Sequence, residues 1–245
     1  MSEPAILRVE HLSKRFRGLV AIGGVSFAIQ PRSITSIIGP NGAGKSTLFN
    51  LVTGYLAPTT GEVRFHDSRI TGIATNRIAE LGIARAFQIA RPFRDLSVFD
   101  NVRIGALFGK RGTRDVAATT RRALDLAGLA HLSGAAANTL TVGQLRHLEV
   151  ARAIATRADL LLADEPCAGL NPTETAAMIE VLRQIRTSGV TVLLVEHDMP
   201  SVMEVSDRVL VLDAGRMIAD GPPAEVAADP RVIAAYLGTP DTADT

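Results

Sequence analysis

Apolar and polar residues follow two different periods along this chain, and the alternation between the two predicts an α/β protein. Short apolar runs bounded by glycine or polar residues have the pattern of β-strands. These runs cover residues 6–9, 25–29, 34–38, 61–65, 83–87, 159–163, 190–195, 209–212 and 216–219. Segments with apolar residues three or four positions apart predict helices over 48–52, 76–81, 97–107, 141–154 and 171–188, a further helix ending near Gly128, and short helices at 225–226 and 232–237. The basic stretch 12–18 is predicted to be an exposed loop.

Helical patterning dominates the region from Ser97 to about Leu132, which lies between two α/β portions of the chain. Ser97 and Asp100 can form a capping box that opens the first helix of this region. We therefore expect a single domain over residues 1–238, with a helical subdomain inserted at about 89–157 and a flexible tail at 239–245.

The segment 39–47 matches the phosphate-loop pattern G-x-x-x-x-G-K-[ST] at every specified position. It stands between a predicted strand and a predicted helix, which is the context that this loop requires. Gly42 and Gly44 let the backbone curl around phosphate oxygens, Lys45 reaches the β- and γ-phosphates, and the Ser46 hydroxyl can bind Mg²⁺. A glycine turn that only caps a helix does not explain the Lys-Ser pair. The predicted nucleoside triphosphate site consists of Gly39, Pro40, Asn41, Gly42, Ala43, Gly44, Lys45, Ser46 and Thr47.

Two adjacent carboxylates end the aliphatic strand predicted at 159–163. In P-loop proteins the first, Asp164, holds Mg²⁺, and the second, Glu165, can orient or deprotonate the attacking water. His197 follows the strand at 190–195, and ligands of doubly wound sheets collect at the carboxyl ends of strands. We therefore expect His197 beside the two carboxylates, although a lone His at a strand end is more often structural. Phe16 has two open interpretations, as an edge of the core or as a stacking platform for a purine.

Composition narrows the class of protein further. The 245 residues are 47% hydrophobic but only 4% aromatic, without Trp, so the core is predicted to be aliphatic. The net charge of +1 gives no global attraction to nucleic acid. A single Cys fits a reducing compartment. The first residues lack the pattern of a signal peptide, and no apolar run approaches the ~20 residues of a membrane-spanning helix. We therefore expect a cytoplasmic protein.

The order of these motifs resembles that of the ATP-binding subunits of ABC transporters over nearly the whole chain. The matching features are an aromatic adenine platform (Phe16), the Walker A loop (39–47), the Q-loop (Gln88), the signature (140–144), the Walker B carboxylates (164–165), the D-loop (168–171) and the switch histidine (His197). Segments 84–88, 164–172, 196–199 and 232–238 are similar to the branched-chain amino acid importer subgroup. The signature departs from the common pattern, with Thr141 where Ser is usual and Val142 where Gly or an aromatic residue is usual. Asn171 stands where the D-loop usually has Asp.

The resemblance implies a P-loop NTPase core with an antiparallel β subdomain and an inserted helical subdomain. It also implies ATP and Mg²⁺ as ligands, with Ser46, Gln88 and Asp164 at the metal. Glu165 would polarise water, His197 would steady the γ-phosphate, and Gln88 would link the metal to membrane permease subunits. A second ATPase subunit, identical or paralogous, would contribute the signature residues to the site: Thr141, Val142, Gly143 and Gln144.

The function implied is ATP hydrolysis that powers uptake of branched-chain or other hydrophobic amino acids, at the inner face of the cell membrane, with a solute-binding protein as an indirect partner. Three alternatives remain: a lipopolysaccharide-export ATPase, a non-transport ABC protein of translation or repair, and a P-loop kinase or GTPase. Repair proteins carry a long coiled coil before the signature and translation proteins carry two cassettes, and neither feature is found here. Kinases and GTPases need neither the signature nor His197.

Overall fold

The computed structural model of the protein describes residues 4–88, 91–110 and 115–237, and its strands form two sheets. The first sheet is antiparallel and consists of β1 (Leu7–Phe16), β2 (Leu19–Ile29), β4 (Thr60–Phe65) and β5 (Ser68–Arg69), in the order β2-β1-β4-β5. The second consists of β3 (Ile34–Ile38), β6 (Ile83–Ala86), β7 (Leu160–Asp164), β8 (Thr191–Val195), β9 (Arg208–Asp213) and β10 (Arg216–Gly221), in the order β10-β9-β3-β8-β7-β6. All its pairings are parallel except that of β10 with β9.

The helices lie between these strands and after them. They are α1 (Lys45–Val52), α2 (Thr75–Leu81), α3 (Val98–Phe108), α4 (Val116–Leu126), α5 (Val142–Ala155), α6 (Pro172–Thr187), α7 (Met199–Val205), α8 (Pro223–Ala227) and α9 (Pro230–Leu237). The strand and helix patterns of the sequence predicted each of these helices except α7, a short helix whose N-cap is the Asp198 side chain. No helix in the described ranges is both long enough and apolar enough to cross a membrane.

The prediction of a loop over residues 12–18 is wrong. β1 continues to Phe16, and β2 begins three positions later, after a turn in which Arg17 and Gly18 both have positive φ. The register between β1 and β2 shifts at three places along the pair. Such bulges change which face a side chain points to, so the strict alternation of a strand is lost from the sequence although the strand persists.

Helix α1 joins the two sheets into one core. Its residues Leu48 and Phe49 are fully buried in an apolar cluster that includes Leu7 from the first sheet and both Ile37 and Leu193 from the second. Every residue of β3, β7 and β8 is buried, which explains why the sequence shows these strands as continuous apolar runs. The other face of the second sheet packs against α5 and α6.

Helices α3, α4 and α5 also pack against one another in a further apolar cluster, built around Val102, Leu124 and Leu148. The axes of α3 and α5 approach closely, since a Cβ atom on Gly105 would lie 2.3 Å from the backbone oxygen of Arg152. This is the region in which the sequence predicts an inserted helical subdomain. Its bounds at about 89–157 stay a prediction, and residues 89–90, 111–114 and the tail predicted at 239–245 lie outside the described residues.

Candidate nucleotide-binding site

The predicted phosphate loop lies where β3 ends and α1 begins, and its backbone requires glycine. Gly39, Gly42 and Gly44 have φ values of 148°, 84° and 104°. A Cβ atom on Gly39 would lie 2.0 Å from the backbone oxygen of Leu212, and one on Gly44 would lie 2.7 Å from that of Ala21. A Cβ atom on Gly42 would meet no atom within 4 Å. The loop is therefore held tightly at both ends and is open in its middle.

Lys45 begins α1 and is largely buried, with 8% of its surface exposed. Its Nζ donates to the backbone oxygens of Gly39 at 2.6 Å and Pro40 at 3.0 Å. Burial lowers the pKa of Lys45, and the nearby carboxylates of Glu165 and Asp164 act in the opposite direction. The ammonium group is thus a partly desolvated cation, which an incoming anion would stabilise.

A cavity of about 570 Å³ opens over this loop. It is lined by Phe16, Leu19, Val20, Ala21, residues 41–47, Glu165 and Ala214. Phe16 stands at the end of β1 with 42% of its surface exposed, and Lys14 Nζ lies 5.1 Å from its ring centroid. Gly39 is buried at the base of the loop. Of the residues predicted to bind ATP, Phe16 and residues 41–47 therefore line one space, while Gly39 and Pro40 belong to the loop below it.

Gln88, Glu165 and His197 lie together although each follows a different strand. Gln88 Nε2 donates to Glu165 Oε2 at 2.5 Å, and His197 Nδ1 lies 3.9 Å from the same oxygen. The strands β6, β7 and β8 are parallel neighbours, so their carboxyl ends meet at one edge of the sheet. Glu165 also has a positive φ of 48°, a conformation that is uncommon for residues other than glycine. The structure therefore brings together the three side chains predicted to be catalytic.

Glu196 connects two of these loops, and the sequence gives no role to this residue. Its side chain is fully buried and accepts hydrogen bonds from the backbone N–H groups of Cys167 at 2.7 Å and His197 at 3.2 Å. The loop after β7 is thereby tied to the loop that carries His197. Burial raises the pKa of Glu196 and also that of the Cys167 thiol, so this thiol is not a reactive one.

Asp164 is held by a partner that sequence reasoning missed. Its Oδ2 accepts from Arg85 Nη2 at 2.5 Å, and only 7% and 10% of the two side chains are exposed. Arg85 lies within the apolar strand β6, and a charged residue at such a position is a feature of the sequence from which the ion pair could have been predicted. A buried Arg requires a paired carboxylate, and therefore a charged residue inside an apolar strand indicates a non-local partner.

The signature residues lie at the N-terminus of α5 and do not line the cavity over the phosphate loop. Thr141 Oγ1 accepts from the Gln144 N–H at 3.3 Å, and Gln144 Oε1 accepts from the Thr141 N–H at 2.9 Å, forming a capping box. Val142 is 60% exposed. A Cβ atom on Gly143 would lie 2.7 Å from Glu174 Oε1, so this glycine packs against the start of α6. Within one chain, the predicted signature and phosphate loop are therefore separate.

Comparison with known proteins agrees with the predicted resemblance. Residues 22–168 match the ABC transporter family, and residues 216–242 match the family of branched-chain amino acid ATP-binding cassette transporters. The high-affinity branched-chain amino acid transport ATP-binding proteins BraF of Pseudomonas aeruginosa and LivG of Escherichia coli are both 39% identical to this chain. Each of these matches covers 97% of the chain and 99% of the relative.

Solved structures give the same result for the fold. A nucleotide-free ATP-binding cassette from an ABC transporter superposes with a TM-score of 0.86 at 30% identity, covering 96% of this chain and all of that one (100%). An ATP-binding cassette of an ABC transporter in an ADP conformation superposes with a TM-score of 0.87 at 31% identity, covering 97% and 100%. The predicted P-loop NTPase fold is thereby confirmed. The chain belongs to the ABC transporter family, among the ATP-binding proteins of branched-chain amino acid transport.

Proposed function

We propose that this chain binds ATP with Mg²⁺ and hydrolyses it as the energy-supplying subunit of a transporter that takes up branched-chain amino acids. The observation that carries the proposal is that Lys45 and Glu165 line one cavity over a complete phosphate loop. Hydrolysis needs both a cation for the phosphates and a carboxylate that can orient water. The substrate class follows from the names of the relatives and from the match at 216–242, which favours amino-acid import over lipopolysaccharide export.

Phosphate binding falls to the loop and to Lys45. In the structure, the Lys45 ammonium donates to the backbone oxygens of Gly39 and Pro40, and the Glu165 and Asp164 carboxylates lie near enough to favour its charged form. The β- and γ-phosphates would add further negative charge beside this desolvated amine, and the N-terminus of α1 adds its partial positive charge. Phosphate binding is therefore expected to raise the pKa of Lys45 and to keep the residue charged.

Ser46 and Asp164 are the residues that would hold Mg²⁺, with the amide oxygen of Gln88. Bound Mg²⁺ neutralises charge on the β- and γ-phosphates. The donors fit this ion, because Mg²⁺ prefers oxygen ligands and takes several of them from water and substrate phosphates. Among the residues that the structure describes, no group of three or more His, Cys, Asp or Glu forms a metal site by itself.

Water activation falls to Glu165, in the cluster that it forms with Gln88 and His197. The Glu165 carboxylate can accept a proton from a water molecule next to the γ-phosphate, and His197 is close enough to steady that water or the phosphate. The Gln88 side-chain amide donates a hydrogen bond to Glu165 Oε2, the carboxylate oxygen that lies nearest to His197 Nδ1. Release of Gln88 from Glu165 would therefore free the base when the nucleotide and the ion are in place.

A second cassette would complete the site. The support is that Thr141 to Gln144 are at the N-terminus of a fourteen-residue helix, α5, whose dipole suits a phosphate, while they do not line the cavity of their own chain. Val142 is exposed at this helix end, as an interface residue would be in a separated subunit. We propose that these residues close over the γ-phosphate bound by another cassette, which is identical or paralogous.

Permease subunits would bind at a second cleft, of about 550 Å³, beside the Q-loop. Its lining combines aromatic and cationic side chains, including Phe87, Phe108, Arg91 and Arg152. Phe87 and Phe108 are 38% and 78% exposed, although they are large apolar residues. Phe87 immediately precedes Gln88, whose side chain donates to Glu165. A permease segment in this cleft would therefore touch the neighbour of the residue that contacts Glu165. The chain would thereby be held at the inner face of the membrane.

The first experiment measures ATP hydrolysis by purified variants. Lys45→Ala is expected to lose nucleotide affinity and hydrolysis, and Glu165→Gln is expected to lose hydrolysis while it retains nucleotide. Lys110→Ala is the matched control, because Lys110 pairs with Asp159 outside the phosphate loop. Normal hydrolysis by a folded Lys45→Ala protein would contradict the site assignment.

Uptake measurements test the substrate class separately. Cells whose own copy carries Glu165→Gln are expected to lose uptake of radiolabelled leucine and to keep uptake of arginine. If both uptakes are unchanged in cells lacking the ATPase activity, the transported substrate is not a branched-chain amino acid, while the ATPase assignment stands.

A sizing column tests the second cassette. Glu165→Gln with ATP and Mg²⁺ is expected to elute as a dimer, and with ADP as a monomer. Adding Val142→Asp should abolish the dimer, because it places a carboxylate near the partner's γ-phosphate. An acidic residue at a helix N-terminus favours the helix, so the fold should persist. If this chain pairs only with a paralogue, the mixture of both is tested, and persistent monomers there refute the composite site.

A further inference from the structure

Arg85 is an unusual residue for its place in the fold. It lies in β6, pairs with Leu162 in the register of β7, and has alanine on both sides. Its side chain is 10% exposed. Burial of an unpaired guanidinium is costly, and the partner that compensates is Asp164, two positions beyond Leu162 on the adjacent strand.

An aromatic cage surrounds the guanidinium of Arg85. Its Cζ atom lies 4.9 Å from the ring centroid of Phe87, 5.7 Å from that of Phe49 and 5.9 Å from that of Tyr55. The chain has eight Phe and two Tyr, so three of a small set of aromatic residues are placed around one cation. Tyr55 and Phe87 also contact each other edge to face at 5.9 Å. Cation–π contacts of this kind fix the plane of the guanidinium.

The two terminal nitrogens of Arg85 connect two parts of the nucleotide site. Nη2 donates to Asp164 Oδ2, and Nη1 donates to Asn50 Oδ1 at 2.7 Å. Asn50 belongs to α1, the helix that begins with Lys45. Arg85 therefore joins the helix behind the phosphate loop to the carboxylate at the end of β7. The bond to Oδ2 fixes one oxygen of the Asp164 carboxylate and so restricts rotation of the group.

We propose that Arg85 is a positioning residue that, held by the Phe49, Tyr55 and Phe87 cage, orients the Asp164 carboxylate for the Mg²⁺ that accompanies the nucleotide. This inference rests on the proposed function. Mg²⁺ demands near-ideal octahedral geometry, so a carboxylate free to rotate holds it less well. Partners that orient a metal ligand typically contribute 10–100-fold to metal affinity.

The test separates metal-dependent from metal-independent nucleotide binding. Affinity for AMP-PNP, a non-hydrolysable ATP analogue, is measured with Mg²⁺ and with EDTA, and the ratio of the two is the metal-dependent gain. Arg85→Met keeps an unbranched apolar stem and removes the charge and the fork of the guanidinium. It is expected to reduce the gain by about tenfold and to leave the affinity in EDTA unchanged. Half-saturation of ATPase activity by Mg²⁺ should move to higher concentration by a similar factor.

The matched control is Arg208→Met. Arg208 donates to both carboxylate oxygens of Asp220 at 2.6 Å and to the backbone oxygen of Ala28 at 2.7 Å, so it has a comparable fork of hydrogen bonds without touching Asp164. This variant should show the wild-type gain. An Arg85→Met protein that is folded by circular dichroism and also shows the wild-type gain would overturn the proposal.

Two milder variants decide the matter if Arg85→Met does not fold. Arg85→Lys keeps the charge but lacks the planar fork whose separate nitrogens reach Asp164 and Asn50. Phe87→Leu removes a half-exposed wall of the cage. Both are expected to reduce the gain by a smaller factor, and wild-type gains in both would refute the positioning role. If the wild-type protein itself shows no metal-dependent gain, the proposed function fails, which is a distinct result.

Discussion

The role of Phe16 can be decided by one substitution, Phe16→Ala. The ring stands on the wall of the cavity over the phosphate loop, and 42% of the residue is exposed. Lys14 Nζ lies 5.1 Å from its ring centroid. If the ring stacks on adenine, its loss should weaken nucleotide binding by about 1–3 kcal/mol, the scale of base stacking on aromatic side chains. That free energy corresponds to a ~5- to 150-fold rise in Kd.

The same substitution should cost the fold little. Truncation of a fully buried Phe destabilises a protein by about 3–5 kcal/mol, partly through the cavity left behind. Phe16 is already half-exposed, and its neighbours Leu19 and Val20 are exposed by 70% and 41%, so no closed cavity is formed. We therefore expect a loss in the free energy of unfolding below about 2 kcal/mol. The effects on binding and stability are thus separable.

Calorimetric titration with ADP gives the Kd of the wild type and of each variant, while urea unfolding measures stability. Phe16→Tyr retains the ring and should bind ADP like the wild type. Phe93→Ala is the matched control, because Phe93 is 49% exposed and lies near a cation, Arg152, away from this cavity. A Kd for Phe16→Ala within twofold of the wild-type value would show that Phe16 is a packing residue and would refute the stacking interpretation.

Three further predictions concern stability, measured by urea unfolding. Gly39→Ala should lower the free energy of unfolding by more than about 3 kcal/mol, because its Cβ would lie 2.0 Å from the Leu212 backbone oxygen. Gly42→Ala has open space around its Cβ and should lose only the ~1–2 kcal/mol associated with its positive φ. Equal losses for the two variants would contradict this interpretation of the loop. Asn171 caps α6 and accepts from the Glu174 N–H at 3.0 Å, so Asn171→Ala should lose about 1 kcal/mol and Asn171→Asp less than ~0.5 kcal/mol. Burial raises the pKa of Glu196, so ionisation of this carboxyl opposes folding. As pH rises above the ordinary carboxyl range, the wild type should therefore lose stability relative to Glu196→Gln, and parallel curves for the two proteins would exclude the shift.

The sequence by itself determined the features that depend on residues close together along the chain. The phosphate loop is one continuous segment, and its glycines and Lys45 are identified by spacing alone. The capping residues Ser97, Thr141 and Asn171 each bond a group three positions ahead, so a short pattern is enough to predict where α3, α5 and α6 begin. The buried strands were equally readable, because a strand covered on both faces is apolar throughout.

Only the tertiary structure decided the contacts whose partners are far apart in the chain. Arg85 and Asp164 are 79 positions apart, which is too far for a local sequence pattern to connect them. Their pairing depends on β6 lying beside β7 in one register. Gln88 and Glu165 meet for the same reason, across 77 positions. A shift of one residue in that register would turn the side chains to the opposite face. Strand order and register result from packing the whole core, and therefore the aromatic cage and its carboxylate are properties of the fold.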